Sequence, residues 1–225
     1  MAGFDITTAE GSESVCYILL PEGAVPDIAK WSDKASSKFN CNIVLVSGMD
    51  WNRDMSPWAA DGVMKEKKNF SGGAGMYLKE LTDDFIPNVE QWLKLKAPKR
   101  YLLGISLSGL FAIWSLSRYN GFLGVGSISG SLWFDGFVEW SHKTPFFGNA
   151  RMYLSLGVKE KNTPDKRMAT VEDATREIYS IIQGKGFDVT FEMVPGTHFS
   201  PAVPKFDRAL EILLAEGDIY PVPEQ

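Results

Sequence analysis

The sequence predicts an α/β fold in which a doubly wound, mostly parallel sheet carries helices on both faces. Short, continuously apolar runs, which are typical of strands buried on both sides, alternate with segments whose apolar residues recur at helical spacing. Because helices that connect parallel strands cover both faces of a sheet, this alternation favours the doubly wound arrangement. With neither an internal repeat nor an interdomain linker, residues 1–225 are expected to form a single domain.

The first half of the chain is expected to supply two buried strands, two helices and one long loop. The turn Pro21-Glu22-Gly23 ends the first apolar run, and the glycines from Gly72 to Gly75 interrupt any helix before one restarts near Met76. In order, the predicted elements are a strand over 15–20, a helix over 26–38, a strand over 41–46 and a polar, aromatic loop over 47–75.

The second half continues the alternation. Leu107, Leu110, Phe111 and Trp114 recur at the spacing of one buried helix face. The strict alternation over 187–193 predicts a half-exposed strand at a sheet edge. The predicted elements are strands over 101–103, 122–128, 152–156 and 187–193, and helices from Leu107, over 168–182 and around 206–213.

The charge balance argues against a polyanionic partner. The chain carries 23 basic and 28 acidic residues, a net charge of −5, and its longest basic run is only Lys65-Glu66-Lys67-Lys68. Neither nucleic acid nor a membrane is therefore expected as a partner. The first ten residues lack the regions of a signal peptide, and no apolar run reaches membrane-spanning length, so a cytoplasmic location is expected.

The two cysteines, Cys16 and Cys41, both fall in predicted strands. Small buried thiols of this kind are expected to be reduced core residues in a cytoplasmic protein. A disulfide between them remains the alternative.

A sharp strand-to-helix turn is predicted at Ser106. The apolar strand from Tyr101 leads into Gly104-Ile-Ser106, and an amphipathic helix follows at once, which is the layout of a nucleophile elbow. The backbone folds back on itself there, so small residues are needed on either side of the serine. Gly104 meets the first requirement, and Ser108 stands where glycine is common.

A serine hydroxyl is a weak nucleophile and needs a base beside it. The chain has only two histidines, and His198 follows the last predicted strand, from which a loop can reach back to the elbow. His142 lies in a polar stretch and is expected to be exposed. The third residue needed is a carboxylate that orients the imidazole, and Glu160 follows the strand over 152–156, with Asp165 as the competing candidate.

The order Ser106, Glu160, His198 is that of the α/β-hydrolases. Acyl transfer in such proteins also needs two N–H groups that bind the oxyanion. The backbone N–H of Leu107, at the start of the elbow helix, is the first candidate. The second is the N–H of Glu22 or Gly23, in the turn after the first buried strand.

Aromatic residues near the expected site provide candidate pocket walls. Trp133 belongs to an aromatic segment over 132–147, and Trp51, Arg53 and Trp58 are candidates for the opposite wall. Two alternatives remain open: the aromatic segment packs onto the sheet, or Arg53 forms a salt bridge with Asp54 instead of binding an anionic substrate group.

Several segments together resemble the esterase D and enterochelin-esterase-like branch of the α/β-hydrolases. Besides the elbow, these are the segments 51–58 with its Pro-Trp pair, Ser71 to Leu81 leading to Phe85-Ile86-Pro87, and Ser129-Gly-Ser-Leu-Trp133. The resemblance spans roughly residues 14–215. The chain departs from the family pattern at Ser108, and at Pro21-Glu22-Gly23, where members often carry His-Gly or Asp-Gly.

That resemblance implies the α/β-hydrolase fold and a serine esterase that cleaves a small-molecule ester, with Ser106, His198 and Glu160 as the triad and neither metal nor cofactor. The family includes short-chain carboxylesterases, siderophore and feruloyl esterases, S-formylglutathione hydrolases and mycolyl transferases. An acyltransferase with the same triad is therefore an alternative. A non-catalytic binding protein is another, because of the two departures and the exposed-looking Glu160. No basic cluster suited to a triscatecholate siderophore is present.

Overall fold

The computed structural model describes residues 3–63 and 69–215, with the backbone alone at 25–27. The basic run over 65–68 lies outside the described residues. The strands are β1 (Gly3–Thr7), β2 (Ser14–Leu19), β3 (Asn42–Ser47), β4 (Ala59–Ala60), β5 (Phe70–Ser71), β6 (Lys99–Ile105), β7 (Gly124–Ile128), β8 (Arg151–Gly157) and β9 (Val189–Val194).

Helices follow most of these strands. They are α1 (Val25–Phe39), α2 (Trp51–Asp54), α3 (Ala74–Glu80), α4 (Ile86–Leu93), α5 (Leu107–Ser115), α6 (Phe137–Lys143), α7 (Val171–Gly184) and α8 (Val203–Leu213). A π-helical turn, Leu81–Phe85, makes α3 and α4 continuous. A 3₁₀ turn, Met168–Thr170, leads into α7.

Seven strands form one sheet in the order β1-β3-β2-β6-β7-β8-β9. All neighbours are parallel except β1, which runs antiparallel to β3 at one edge. The fold class predicted from the sequence is confirmed. Because the strands are parallel, their carboxyl ends lie along one rim, where the loops after β2, β6, β7, β8 and β9 meet.

The sheet separates two apolar cores. Along β2, Val15, Tyr17 and Leu19 face one core, and Cys16 and Ile18 face the other, as the two-residue period of a strand requires. The first core lies under α3 to α7, and the second lies under α1 and α8, where Trp31 stacks on Phe206. Helices therefore cover both faces.

Both cysteines are buried in the second core as free thiols. Burial raises the pKa of the Cys41 thiol to about 12. The prediction of reduced core cysteines agrees with this arrangement, and the disulfide alternative does not.

Three parts of the sequence-based prediction were wrong. Strand β1 was not predicted, because its residues are mostly exposed and form no apolar run. The loop over 47–75 contains the short helix α2 and the β4–β5 pair. The polar stretch that holds His142 is helix α6, although the side chain is exposed as expected and lies 3.1 Å from Glu177.

Strand β9 is at the edge of the sheet and half-buried along its length, as its alternating sequence predicted. Within the part of the chain that the structure describes, no helix has both the length and the apolar character needed to cross a membrane.

Candidate active site

Ser106 occupies a strained turn between β6 and α5. Its backbone has φ 59° and ψ −121°, a conformation that costs a non-glycine residue about 1–3 kcal/mol. Neighbouring loops hold it there: its N–H donates to Ile128 O at 3.0 Å, and its carbonyl accepts the Ser131 N–H at 2.9 Å. The turn therefore fixes the serine on the rim of the sheet, where the side chain can meet the other loops.

Two glycines make the turn sterically possible. A Cβ on Gly104 would lie 2.1 Å from the Ser108 carbonyl oxygen, and one on Gly109 would lie 2.8 Å from Ser127 Oγ. The helix could not approach the strand this closely with larger residues at either position.

Ser108, the departure from the family pattern, is fully buried and hydrogen-bonded. Its hydroxyl donates to Leu19 O at 2.8 Å and accepts the Ile105 N–H at 2.9 Å. The side chain thus connects the elbow to the end of β2, and the turn Pro21-Glu22-Gly23 begins two residues later.

His198 reaches the serine from the loop after β9. Its Nε2 lies 3.1 Å from Ser106 Oγ, at hydrogen-bond distance. The loop is shaped by Gly196, whose φ of 114° favours glycine, and by Ser200 Oγ, which accepts the Thr197 N–H at 2.8 Å. The histidine side chain is about one quarter exposed, so the serine–histidine contact is open to solvent on one side.

Glu160 lies on the other side of the imidazole. Its Oε2 is 2.9 Å from His198 Nδ1, and its Oε1 accepts the Gly157 N–H at 2.7 Å and the Ser129 hydroxyl at 2.6 Å. A tight turn after β8 places it there, since the Glu160 N–H donates to Gly157 O at 3.0 Å. The side chain is 2% exposed, so the exposed-looking character inferred from its two lysine neighbours was wrong.

The environment of Glu160 favours the carboxylate. Burial acts to raise its pKa, but the hydrogen bonds from His198, Ser129 and the Gly157 N–H act in the opposite direction and prevail. The pKa of Glu160 therefore lies below its usual value, and the group is ionised at neutral pH.

Asp165 has a different environment. Its Oδ1 accepts the N–H groups of Arg167 at 2.9 Å and Met168 at 3.0 Å. The side chain therefore caps the 3₁₀ turn that leads into α7. Of the two carboxylates that the sequence left open, the structure brings Glu160 to His198.

The backbone N–H groups that the sequence suggested as oxyanion donors belong to segments near the rim. Leu107 is the first residue of α5, so its N–H has no acceptor within the helix. In the turn after β2, the Gly23 N–H donates to Pro21 O at 3.0 Å, whereas the Glu22 N–H donates to no atom of the described residues. Since Leu19 pairs with Gly104 across the sheet, this turn lies beside the elbow, and Glu22 is the better placed candidate of the two.

The aromatic segment after β7 mainly packs into the core. Phe134, Phe137 and Phe146 are buried, and Trp58 joins them with its ring centroid 5.8 Å from that of Phe134. The Trp58 indole N–H donates to Asp135 O at 2.9 Å. Most of the aromatic segment over 132–147 therefore packs into the core, as one of the two sequence-based alternatives predicted. Trp133 is half-buried, and the Arg167 guanidinium lies 5.6 Å from its ring.

Trp51 and Arg53 lie on α2. Arg53 forms a two-point salt bridge with Asp54, with N···O distances of 2.7 Å and 3.1 Å. Asp54 is buried and also accepts the Asp50 N–H at 2.9 Å, while Trp51 is half-buried against the first core. The salt-bridge alternative is the one present for Arg53.

Sequence reasoning missed three residues around the site. Ser131 Oγ lies 3.5 Å from Ser106 Oγ, Ser129 contacts Glu160, and Lys205 Nζ is 2.8 Å from Ser129 Oγ. The two serines were detectable, because both lie within three residues of the end of β7, at the rim where the carboxyl ends of the strands meet. Nothing in an amphipathic helix singles out Lys205. Among the described residues, no group of three or more His, Cys, Asp or Glu side chains is arranged to hold a metal ion.

A strained serine after the central strand of a mostly parallel sheet, with a histidine on the loop after the last strand, defines an α/β-hydrolase. The chain belongs to a family of that class, the one described as "Putative esterase", whose model matches residues 28–210. The family resemblance inferred from the sequence is thus confirmed.

A curated protein has a similar sequence. The uncharacterized protein YbbA of Bacillus subtilis (strain 168) is 30% identical over 151 residues, which are 64% of this chain and 60% of YbbA. The chain therefore matches less than two thirds of that relative's length.

Solved structures of other proteins share the fold. An IroE-like serine hydrolase from Shewanella oneidensis has a TM-score of 0.76 and 19% identity, over 93% of this chain and 74% of that one. The siderophore hydrolase EstA from Aspergillus nidulans has a TM-score of 0.69 and 18% identity, over 94% and 89% of the two chains.

Proposed function

We propose that the protein hydrolyses a carboxylic ester of a small molecule through an acyl-enzyme formed on Ser106. The observation that carries this proposal is the unbroken hydrogen-bonded series from Ser106 through His198 to Glu160, with distances of 3.1 Å and 2.9 Å. Membership of the esterase family supports it independently.

In the first half-reaction, Ser106 Oγ attacks the ester carbonyl carbon while its proton passes to His198 Nε2. Glu160 accepts the hydrogen bond of Nδ1 and stabilises the imidazolium that forms. The tetrahedral intermediate then collapses: the bond to the alkoxy oxygen breaks, and the leaving alcohol takes the proton from Nε2. The acyl group remains on Ser106.

In the second half-reaction, water attacks the acyl carbon and gives a proton to His198 Nε2. When the second tetrahedral intermediate collapses, the proton returns to Ser106 Oγ and the carboxylic acid leaves. Neither half-reaction needs a metal or an organic cofactor.

The negative charge that develops on the carbonyl oxygen needs donors in fixed positions. The N–H groups of Leu107 and Glu22 suit this role, because neither donates within the described structure and both lie at the rim beside the elbow. Each such donor is worth a factor of about 100 to 1,000 in rate.

An uncharged ester is the substrate class that best suits the surroundings. Phe199 is exposed and its ring meets the His198 imidazole edge to face at 5.3 Å, while Val158 is exposed beside the Glu160 turn. Arg53 and Arg167 are both paired with aspartates. An anionic siderophore ester would need unpaired cationic side chains in the pocket. Arg53 and Arg167 do not supply them, because each is paired with an aspartate.

Substitution of Ser106 by Ala tests the proposal. Turnover of p-nitrophenyl acetate should fall about a thousandfold or more, with the far-UV circular dichroism unchanged. His198→Ala should behave similarly, and His142→Ala, which removes the other histidine from an exposed helix, should retain wild-type turnover. Substantial turnover by Ser106→Ala would sink the proposal.

A fluorophosphonate probe separates catalysis from mere binding. Labelling that maps to Ser106 and disappears in His198→Ala supports an activated serine, whereas an unlabelled wild-type protein favours the non-catalytic alternative. Product analysis with an added alcohol distinguishes hydrolysis from acyl transfer: free acid should dominate over the transferred ester.

A further inference from the structure

Lys205 is a buried lysine at the N-terminal end of helix α8, where a positive charge is unfavourable. Its side chain is 5% exposed and lies in the first turn of α8. Burial of an ammonium group is unfavourable, and cations are favoured at the C-terminal end of a helix, not at its N-terminal end. Burial accordingly lowers the pKa of Lys205, although the nearby Glu160 carboxylate acts in the opposite direction.

The contacts of Lys205 lead to the catalytic acid. Its Nζ donates to Ser129 Oγ at 2.8 Å, and that hydroxyl donates onward to Glu160 Oε1 at 2.6 Å. The distance from Nζ to Glu160 Oε1 is 3.9 Å, so the two charges also interact directly. Ser129 is held at the end of β7, with φ 48° and its N–H bonded to Ser155 O.

Other charged groups around α8 are paired away from this network. Arg208 binds Glu192 of β9 at 2.7 Å, and Asp207 binds Lys38 of α1 at 3.1 Å. Beside Glu160 in the turn, Lys159 is exposed, and Lys161 binds Glu172 at 2.9 Å. Among the described residues, the buried charged group that faces Lys205 is therefore Glu160.

We propose that Lys205 is a positioning residue for the reaction: through Ser129 and its charge, it keeps Glu160 ionised and aimed at His198, and so extends activity to lower pH. This inference rests on the proposed function, since it gives Glu160 the role of the triad acid. Lys205 does not touch the reacting atoms. Its effect is to oppose the uptake of a proton by the Glu160–His198 pair.

The test compares Lys205→Met with Lys159→Met. The first substitution removes the buried charge at similar volume, and the second removes an exposed charge next to Glu160, which water already screens. The acidic limb of the kcat/KM profile for p-nitrophenyl acetate should move up by about one pH unit or more in Lys205→Met and stay in place in Lys159→Met.

A purely structural lysine would alter stability or the height of the profile without moving its acidic limb. A Lys205→Met limb that coincides with the wild-type limb, or an equal shift in Lys159→Met, would overturn the proposal. Ser129→Ala provides a second variant should Lys205→Met fold poorly. It removes only the bridging hydroxyl, and its acidic limb should move in the same direction by a smaller amount.

Unfolding measurements separate this inference from the proposed function. If the wild-type protein turns over no ester, the proposed function fails, and the Lys205–Glu160 coupling is still measured by urea unfolding of Lys205→Met, Glu160→Gln and the double variant. At neutral pH the double variant's shift in urea midpoint should differ from the sum of the single shifts, and the difference should shrink as the pH falls and Glu160 takes up a proton. Additive shifts at neutral pH would overturn the coupling.

Discussion

The hydroxyl of Ser108 donates to the carbonyl of Leu19 over 2.8 Å, and this bond joins the helix that carries the elbow to the strand next to it. Glycine is common at that position in the family, and glycine has no side chain with which to make the contact. The Ser108–Leu19 hydrogen bond thus connects the turn at Ser106 to the turn that contains Glu22. The departure from the family pattern therefore adds a hydrogen bond that glycine could not make.

Ser108→Ala should weaken both the fold and the reaction. It leaves the buried Leu19 carbonyl and the partly buried Ile105 N–H without their hydroxyl partner, which costs about 1–3 kcal/mol of unfolding free energy. The loosened turn should also lower kcat by about tenfold, because the Glu22 donor is no longer held beside the elbow. Urea unfolding and p-nitrophenyl acetate turnover measure the two effects.

Ser115→Ala is the matched control for that experiment. Ser115 is also buried on α5, but its hydroxyl bonds only within the helix, to Ala112 O at 2.7 Å. It should cost stability without changing kcat. Equal effects of the two substitutions on kcat would contradict a role for the Ser108–Leu19 bond in catalysis.

Gly104→Ala should be strongly destabilising. The added methyl group would lie 2.1 Å from the Ser108 carbonyl oxygen and 2.6 Å from the Gly109 nitrogen, both backbone atoms that cannot rotate away. We expect a loss of about 3 kcal/mol, at the upper end of overpacking effects. Gly184→Ala, where no atom lies within 4 Å of the new methyl group, should leave the melting temperature unchanged or slightly raised. A well-folded, fully active Gly104→Ala protein would contradict the geometry of the turn.

The fold was predictable wherever burial on both faces leaves a continuous apolar run, as in β2 and β3. It was not predictable at β1, which is mostly exposed and joins the sheet through backbone pairing with β3 that leaves no pattern in the side chains. Helix α6 was missed because it has only seven residues, and Glu139, His142 and Lys143 give the stretch a polar character.

The site divides in the same way. Ser106 and His198 follow from their positions after strands, but burial of Glu160 depends on Ser129 and Lys205, which come from elements distant in the sequence. A charge between two lysines suggests a solvated turn until the tertiary partners are known. The contact of His198 with Glu160, and not with Asp165, was therefore visible only in the three-dimensional structure.

Glu160→Gln should strongly lower kcat, whereas Asp165→Asn should leave it almost unchanged. The amide at 160 removes the charge that stabilises the imidazolium, so kcat should fall about a thousandfold or more. Asp165→Asn keeps an oxygen acceptor for the Arg167 and Met168 N–H groups, so it should change stability by less than about 1 kcal/mol and leave kcat within about twofold. A loss of activity in Asp165→Asn larger than that in Glu160→Gln would reverse the assignment.

The low pKa of Glu160 should be visible in the acid stability of the protein. A carboxylate whose pKa is lower in the folded than in the unfolded state stabilises the fold fully above the unfolded value, near 4.5. That contribution is lost as the pH falls through the folded pKa. The difference in unfolding free energy between wild-type and Glu160→Gln should therefore be constant from neutral pH to about pH 5. Below about pH 5 the wild-type protein should lose stability relative to Glu160→Gln.

Lys205 should make the stability of the protein depend on pH in the alkaline range. Because its pKa is lower in the folded state than the ordinary 10.5, the folded protein releases this proton first, and the unfolded chain binds more protons over the interval between the two values. Wild-type stability should therefore rise relative to Lys205→Met as the pH increases through the folded pKa towards 10.5. Urea unfolding of both proteins between about pH 7 and about pH 10 measures this. If the difference in unfolding free energy between the two proteins does not change with pH, the pKa of Lys205 is the same in the folded and the unfolded state.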